Sequence, residues 1–152
     1  MAGNVIRGLL VQSNQKLGGS AFHFDLPPVR TCPGRSSLCE SACYARSGRF
    51  VFPQVTARLE WCLKQSQRDD FVDRMVQELY RKGVLLMRWH VAGDAGTPCY
   101  ARKIKAVAER SPQVAMWMYT RSWRVDTIAP ILWELAELPN FHLWLSADDE
   151  TG

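Results

Sequence analysis

Runs of nearly continuous apolar residues recur along the second half of the chain. They occupy residues 84–91, 114–120 and 141–146. Apolar runs of this length are typical of strands that are buried on both faces, as in a parallel sheet. Residues 21–25 alternate apolar and polar side chains, which predicts a half-buried strand ending at Pro27-Pro28. Residues 5–11 form a shorter apolar run that predicts either a strand or a packed lead-in.

Amphipathic segments with helical spacing separate these runs. The first opens at Pro53, where proline suits the first helical turn. The second has Asp69 or Asp70 as its N-cap, and the third begins at Thr97. Asp126 is expected to cap the fourth. Strands alternating with helices of this length predict an α/β fold with right-handed βαβ units and about four parallel strands.

Size and composition fit an ordinary globular protein. The chain has 152 residues, enough for one domain over residues 1–152, with 47% apolar and 22% charged residues. Its net charge of +4 permits a nucleic-acid partner without requiring one. No apolar run approaches the roughly 18 residues of a membrane span. Asn4, Arg7 and Gln12 interrupt any signal-peptide core, so we expect a cytoplasmic protein.

Three of the five cysteines lie within twelve residues, in the segment Cys32-Pro-Gly-Arg-Ser-Ser-Leu-Cys39-Glu-Ser-Ala-Cys43. Short spacings let one loop turn several sulfurs toward a common point, which suits a zinc ion or an iron–sulfur cluster. Three ligands leave one coordination position for another part of the chain or for a substrate. An iron–sulfur site is favoured over structural zinc because no fourth ligand is obvious from spacing.

Two other interpretations of the cysteines stay open. Disulfides are disfavoured by the odd number of cysteines and by the expected reducing compartment. The thiols could also serve as small buried hydrophobes. Cys62 has this role by prediction, because it lies on the apolar stripe of the first helix. Cys99 stands near a helix N-terminus, and we do not expect it to be the fourth ligand.

Small and polar residues follow each predicted strand. They are Gly93-Asp94 after the second strand, Thr120-Arg121 after the third, and Ser146 with Asp148 after the fourth. The carboxyl ends of parallel strands share one edge, where α/β folds gather their binding residues. The sequence therefore predicts one site there, beside the cysteine loop.

Each of these residues also has a plain structural interpretation. Asp94 could bond to the backbone amides of its own turn. Arg121 could be a solvated surface charge, and Asp148 a helix cap. His90 lies at the end of the second strand, where a histidine is more often a hydrogen-bonded core residue than a metal or cofactor ligand.

The arrangement resembles the "gene product 88" domain family of phages and plasmids, and more distantly the radical S-adenosylmethionine superfamily. The likeness is carried by residues 26–28, 31–34, 39, 43–45, 88–94, 119–123 and 143–146. It spans most of the chain from about residue 14 onward.

The resemblance implies a partial (βα) barrel, an incomplete TIM-like barrel. Cys32, Cys39 and Cys43 would hold three irons of a [4Fe–4S] cluster, and S-adenosylmethionine would chelate the open iron. Such an enzyme would cleave S-adenosylmethionine reductively, on a substrate that the sequence does not identify. The implied cofactor-binding residues are Tyr44, Gly93, Asp94, Thr120, Arg121, Ser146 and Asp148.

The chain also departs from the superfamily pattern. Its Cys-x6-Cys-x3-Cys spacings are longer than usual, and Ala92-Gly93-Asp94 replaces the usual Gly-Gly-Glu. The chain ends after the fourth strand, which would leave an open sheet edge. We therefore expect one of three explanations: the barrel is truncated, a second chain or a second copy of this chain covers the edge, or the protein has a different, smaller fold.

The alternative hypothesis is a metal-stabilised binding module without catalysis, which binds nucleic acid or a partner protein. Its basic residues would be Arg30, Arg35, Arg46, Arg49, Arg121 and Arg124. Its aromatic residues would be Tyr44, Phe50, Phe52, Trp117 and Trp123, which suit stacking on unpaired bases. A weaker hypothesis is a half-barrel that has lost its chemistry and only contacts another protein.

Overall fold

A computed structural model describes residues 8–13 and 19–151. The strands are β1 (Val11–Gln12), β2 (Ala21–Phe24), β3 (Leu86–Trp89), β4 (Ala115–Thr120) and β5 (Phe141–Leu145). The α-helices are α1 (Ser37–Ser41), α2 (Pro53–Ser66), α3 (Phe71–Arg81), α4 (Pro98–Arg110) and α5 (Ala129–Ala136). Three 3₁₀ turns cover Tyr44–Arg46, Gly48–Val51 and Ser122–Arg124.

The strands form one sheet in the order β1-β2-β3-β4-β5. Strands β2 to β5 run parallel, as predicted, and in register they align Phe24 with Trp89 and Trp89 with Met118. Strand β1 pairs antiparallel with β2, which the sequence did not indicate. Within the described residues the sheet is open, with β1 and β5 at its edges, so a closed barrel is not observed. Residues 5–7 of the predicted N-terminal run lie outside the described residues.

The two faces of the sheet differ sharply. On one face Met87, Trp89, Met116 and Met118 are fully buried and share one apolar cluster with the helices. The other face carries mainly exposed or half-exposed side chains from β2 to β5, although Ala21 at the start of β2 is buried. We call it the open face. Its residues are His23, Leu86, Arg88, Trp117, Tyr119, His142 and Trp144.

The prediction that these strands are buried on both faces was therefore wrong. Their outward positions hold large aromatic residues such as Tyr119 and Trp144, which are apolar in a sequence pattern yet exposed in the fold. An apolar residue in the sequence is not necessarily buried, since much of any protein surface is apolar.

Local signals explain where most helices begin. Thr97 caps α4 by accepting a hydrogen bond from the Tyr100 amide at 3.1 Å. Pro53 occupies the first turn of α2, and Asp70 holds the N-cap position of α3 without a capping side-chain bond. The predicted cap at Asp126 is wrong. The chain makes a further turn over residues 126–128, so α5 begins only at Ala129.

None of the helices in residues 8–13 and 19–151 combines the length and apolar character that a membrane span requires. The cytoplasmic location expected from the sequence stays a prediction.

A buried carboxylate anchors the segment before β1. Glu78 on α3 is only 5% exposed. It accepts hydrogen bonds from the Leu9 amide at 2.8 Å and from the Leu10 amide at 2.6 Å, and Lys82 lies 3.3 Å away. These bonds satisfy backbone donors that the core would otherwise leave unpaired. The sequence of α3 does not indicate this role of Glu78, because the amides that it binds lie nearly seventy residues away along the chain.

We expect Glu78→Ala to lower the free energy of unfolding by about 1–3 kcal/mol, because it leaves two buried amides without an acceptor. Chemical denaturation followed by circular dichroism measures this difference. Gln77→Ala, an exposed position on the same helix, is the control and should change stability by less than about 0.5 kcal/mol. Equal losses from both variants would contradict the anchoring role.

Candidate functional site

A cavity of about 200 Å³ opens at the carboxyl ends of the parallel strands. Its lining includes eight of the ten residues that the sequence nominated, and we call it the cysteine cavity. These eight are Cys32, Cys39, Cys43, Tyr44, Gly93, Asp94, Arg121 and Ser146. The other two, Thr120 and Asp148, contact lining residues from behind. Residues that lie more than a hundred positions apart in sequence therefore meet at one edge, because the carboxyl ends of the parallel strands meet there.

Short local structures position the three thiols along the loop. Cys32 follows a turn in which its amide donates to the Val29 carbonyl at 3.0 Å. Cys39 lies on α1, and its amide is capped by Ser36 Oγ at 3.0 Å. Cys43 directly precedes a 3₁₀ turn. All three side chains are partly exposed toward the cavity, so a ligand entering it meets all three.

The thiols share the cavity without forming a ready-made ligand set. In the described part of the chain, no group of three or more His, Cys, Asp or Glu side chains is arranged to hold a metal ion. None of the five cysteines is in a disulfide. Burial, followed by the nearby Asp94 carboxylate, raises the pKa of the Cys32 thiol to about 11. Cys32 therefore carries a proton at neutral pH in the metal-free chain, and a metal ion would displace that proton.

Asp94 joins the ends of β3 and β4. Its carboxylate is buried and accepts hydrogen bonds from Thr120 Oγ1 at 2.6 Å, the Ala95 amide at 2.8 Å and the Arg121 amide at 2.9 Å. Burial raises its pKa above the ordinary value, while these donors act in the opposite direction. Most of its acceptor capacity is thus used within the protein, although it also lines the cavity.

Two glycines allow the loops to meet at this junction. A Cβ on Gly34 would lie 2.0 Å from the Arg121 carbonyl oxygen, so only glycine permits the cysteine loop to approach the β4 turn. Gly93 has φ of +85°, and a Cβ there would lie 2.7 Å from both Leu26 Cβ and Thr31 Oγ1. Close backbone approach therefore explains Gly34, whereas positive φ together with crowding by Leu26 and Thr31 explains Gly93.

The acidic segment after β5 holds the cysteine loop from the other side. Asp148 accepts a hydrogen bond from Ser36 Oγ, and its carboxylate lies 2.9 Å from the Arg121 guanidinium. The Ser36 bond, and more weakly the Arg121 charge, lower the pKa of Asp148. Glu150 accepts from the Ser37 amide at 3.1 Å. Carboxylates therefore cap the start of α1, which the sequence did not predict.

The structure adds residues to the site that the sequence did not nominate. Arg88 and Tyr119 line the cavity from the open face, and His90 lines it at the end of β3. Reading β3 and β4 with a period of two would have placed Arg88 and Tyr119 on one face. Tyr44, which also lines the cavity, donates a hydrogen bond to the Val91 carbonyl, and this bond ties the end of the cysteine loop to the end of β3.

His90 has an unusual environment. It is 3% exposed, has φ of +66°, and its Nε2 lies 2.7 Å from the Tyr100 hydroxyl. Its Nδ1 has no hydrogen-bond partner among the described residues. Burial lowers the pKa of His90 to about 4, so the imidazole is neutral at pH 7. The residue is a buried histidine with one free ring nitrogen beside the cavity.

The remaining cysteines lie elsewhere. Cys62 packs in the core, where burial raises its pKa to about 11, and its predicted structural role is confirmed. Cys99 is exposed and lines a separate cavity of about 350 Å³ with Tyr100 and Lys103. It does not join the three thiols of the loop.

Comparison with known proteins identifies the family. The family described as "Gene product 88" matches residues 8–152, nearly the whole chain. The chain belongs to the Gene product 88 family. The "Gene 88 protein" of Mycobacterium phage L5 is 32% identical over 131 residues, which cover 79% of this chain and 53% of that protein. This Gene product 88 chain thus spans about half the length of the curated relative it matches.

No solved structure matches the chain significantly. The predicted family and its phage connection are confirmed. The more distant likeness to the radical S-adenosylmethionine superfamily stays a prediction.

We expect Asp148→Asn to loosen the cysteine loop, because it weakens the bond to Ser36 and removes the charge pair with Arg121. The thiols of Cys32 and Cys39 should then react faster with a thiol reagent, measured by mass spectrometry of timed samples. Asp149→Asn is the matched control, one residue along and exposed. If both variants react at the rate of the parent chain, Asp148 does not hold the loop.

Proposed function

We propose that this chain binds an iron–sulfur cluster through Cys32, Cys39 and Cys43. The observation that supports it is the shared cavity: three thiols from one short loop line a single space at the carboxyl edge of the parallel strands. Thiolates are the ligands that such clusters require, and three of them leave one iron open. Of the other cysteines, Cys62 lies in the core and Cys99 faces a different cavity, so the set of three is distinct.

The cavity fits this donor set, although metal binding requires the sulfurs to draw closer together than they lie here. The frame around them is fixed at Gly34 by the Arg121 carbonyl and at Ser36 by Asp148. The thiols themselves are partly exposed, and the Cys43 backbone makes local turn bonds, while its neighbour Tyr44 is held by the Val91 carbonyl. Final closure of the loop would therefore accompany metal binding, as is common for metal sites.

The same proposal includes S-adenosylmethionine as a second ligand within a partial barrel. The cluster, when bound, would supply the electron for reductive cleavage of that sulfonium. The chain's own residues would bind and orient the molecule. Arg88 would offer positive charge to its carboxylate, and Arg121, already paired with Asp148, would add a second guanidinium at the cavity wall. Ser146 and the Gly93 backbone would offer hydrogen-bonding groups. Asp94 would act indirectly, by holding the two strand ends in place.

A zinc ion is the second candidate, and one observation favours it. His90 lines the same cavity and has a ring nitrogen without a hydrogen-bond partner among the described residues. Three cysteines and one histidine form a common structural zinc set. In that case the chain would be a metal-stabilised binding module, and Cys43 and His90 would both be ligands.

Anaerobic reconstitution with iron and sulfide tests the proposal. We expect a brown protein with visible absorption that bleaches on reduction, because thiolate-bound clusters absorb strongly and accept electrons. Cys32→Ser, Cys39→Ser and Cys43→Ser should each lower the iron content markedly. Cys99→Ser should keep the full content, since this exposed thiol lies in another cavity.

Metal analysis of the protein as isolated separates the two candidates. A colourless protein with one zinc per chain would contradict the cluster, and loss of that zinc in His90→Ala would support the second candidate. Retention of S-adenosylmethionine by the reconstituted parent, but not by Cys39→Ser, would support the second ligand.

A further inference from the structure

The open face of the sheet has an unusual chemical composition. The four parallel strands contain no aspartate or glutamate at any position. Their outward positions carry aromatic rings, two histidines and Arg88. Asp25, which follows β2, is already engaged by His23 and by the Val91 amide. Arg88 is thus the one Lys, Arg, Asp or Glu residue on these four strands, and it lies among aromatic rings. This combination suits an anionic ligand with flat rings.

Three side chains on this face are already stacked. The Tyr119 and Trp144 rings lie nearly parallel, 22° apart, with their centroids 6.2 Å from each other. The Arg88 guanidinium lies over the Tyr119 ring, 5.3 Å from its centroid. Trp144 lies on the edge strand and is 56% exposed, so the stack ends in an available ring surface.

Arg88 differs from other arginines of the chain. Arg35 pairs with Glu40, Arg110 with Asp73 and Arg121 with Asp148. Within residues 8–13 and 19–151, Arg88 has no ion pair, and its Nε is buried without a hydrogen-bond partner. A half-exposed guanidinium with no ion pair and with a buried, unsatisfied Nε favours a phosphate or carboxylate, which would satisfy it.

We propose that the open face binds single-stranded nucleic acid, with an unpaired base stacked on Trp144 and a backbone phosphate near Arg88. Stacking of bases on aromatic rings beside positive charge is how proteins hold single strands without sequence preference. A duplex would not fit this mode, because its bases are stacked on one another and unavailable to Trp144.

A second copy of this chain suits the face less well. An isologous contact would bring each Arg88 toward its own equivalent, without a carboxylate on these strands to offset the repulsion. A nucleic-acid strand supplies the missing negative charge. Arg88 and Tyr119 also line the cysteine cavity, so a bound strand would lie beside the proposed metal site. The inference nevertheless needs no metal and applies to the metal-free chain.

The test is fluorescence anisotropy with a labelled oligothymidylate of about 12 nucleotides. We expect the metal-free parent to bind it, and Trp144→Ala to weaken binding about 5- to 150-fold, the range for one stacked base. Trp144→Phe should recover most of the affinity, because it keeps a ring. Arg88→Ala should remove about one phosphate contact. The plot of the logarithm of the association constant against the logarithm of salt concentration should then be less steep by roughly 0.7.

Trp133→Ala is the matched control, because Trp133 is similarly exposed, at 45%, but lies on α5. It should leave affinity unchanged. The proposal is overturned if the parent does not bind, if the Trp133 and Trp144 variants weaken binding equally, or if a duplex of the same length binds as tightly. It is also overturned if sedimentation shows a dimer that Trp144→Ala dissociates.

Discussion

The candidate site depends on one buried carboxylate. Asp94 ties the end of β3 to the end of β4 through the Thr120 hydroxyl and the Arg121 amide. This junction sets the position of the Arg121 carbonyl, against which Gly34 of the cysteine loop packs without room for a side chain. The thiols therefore take their place from a network that begins at a strand end, not from the loop alone.

The acidic segment after β5 completes this network. Asp148 and Glu150 bond to the first residues of α1, so the loop is held between two carboxylates and the β4 turn. Cys32 nevertheless stays a protonated, partly buried thiol, because burial and Asp94 both disfavour its anion. The proposed metal site would therefore have a pre-positioned frame whose thiols come together when the metal binds.

Sequence reasoning recovered the parallel strands and most helix starts because these depend on local signals. The helix starts at Thr97 and Pro53 are indicated by these residues and their near neighbours. The position of the site at the carboxyl ends of the strands follows from the order of the elements alone. Asp126 failed because a turn closed by bonds from the Ile128 and Ala129 amides to the Val125 carbonyl precedes α5. The contact of Asp148 with Ser36 and that of Glu78 with Leu9 gave no signal, since the partners lie 112 and 69 residues away.

The open face was mispredicted for a different reason. Hydrophobic periodicity does not separate an exposed aromatic such as Trp144 from a buried one such as Trp89. Of the six arginines nominated for binding, three are held in ion pairs: Arg30, Arg35 and Arg121. Arg88 was overlooked because it lies within an apolar run. Spatial pairing across strands, which a single sequence does not contain, decides which charges are available.

X-ray absorption spectroscopy of the anaerobically isolated chain tests the central claim most directly, because it reports the atoms around the metal. The account predicts iron with sulfur neighbours and a short iron–iron distance, lost in the Cys32→Ser, Cys39→Ser, Cys43→Ser triple variant. A metal bound only through nitrogen and oxygen, or a sulfur signal that persists in that variant, would contradict it.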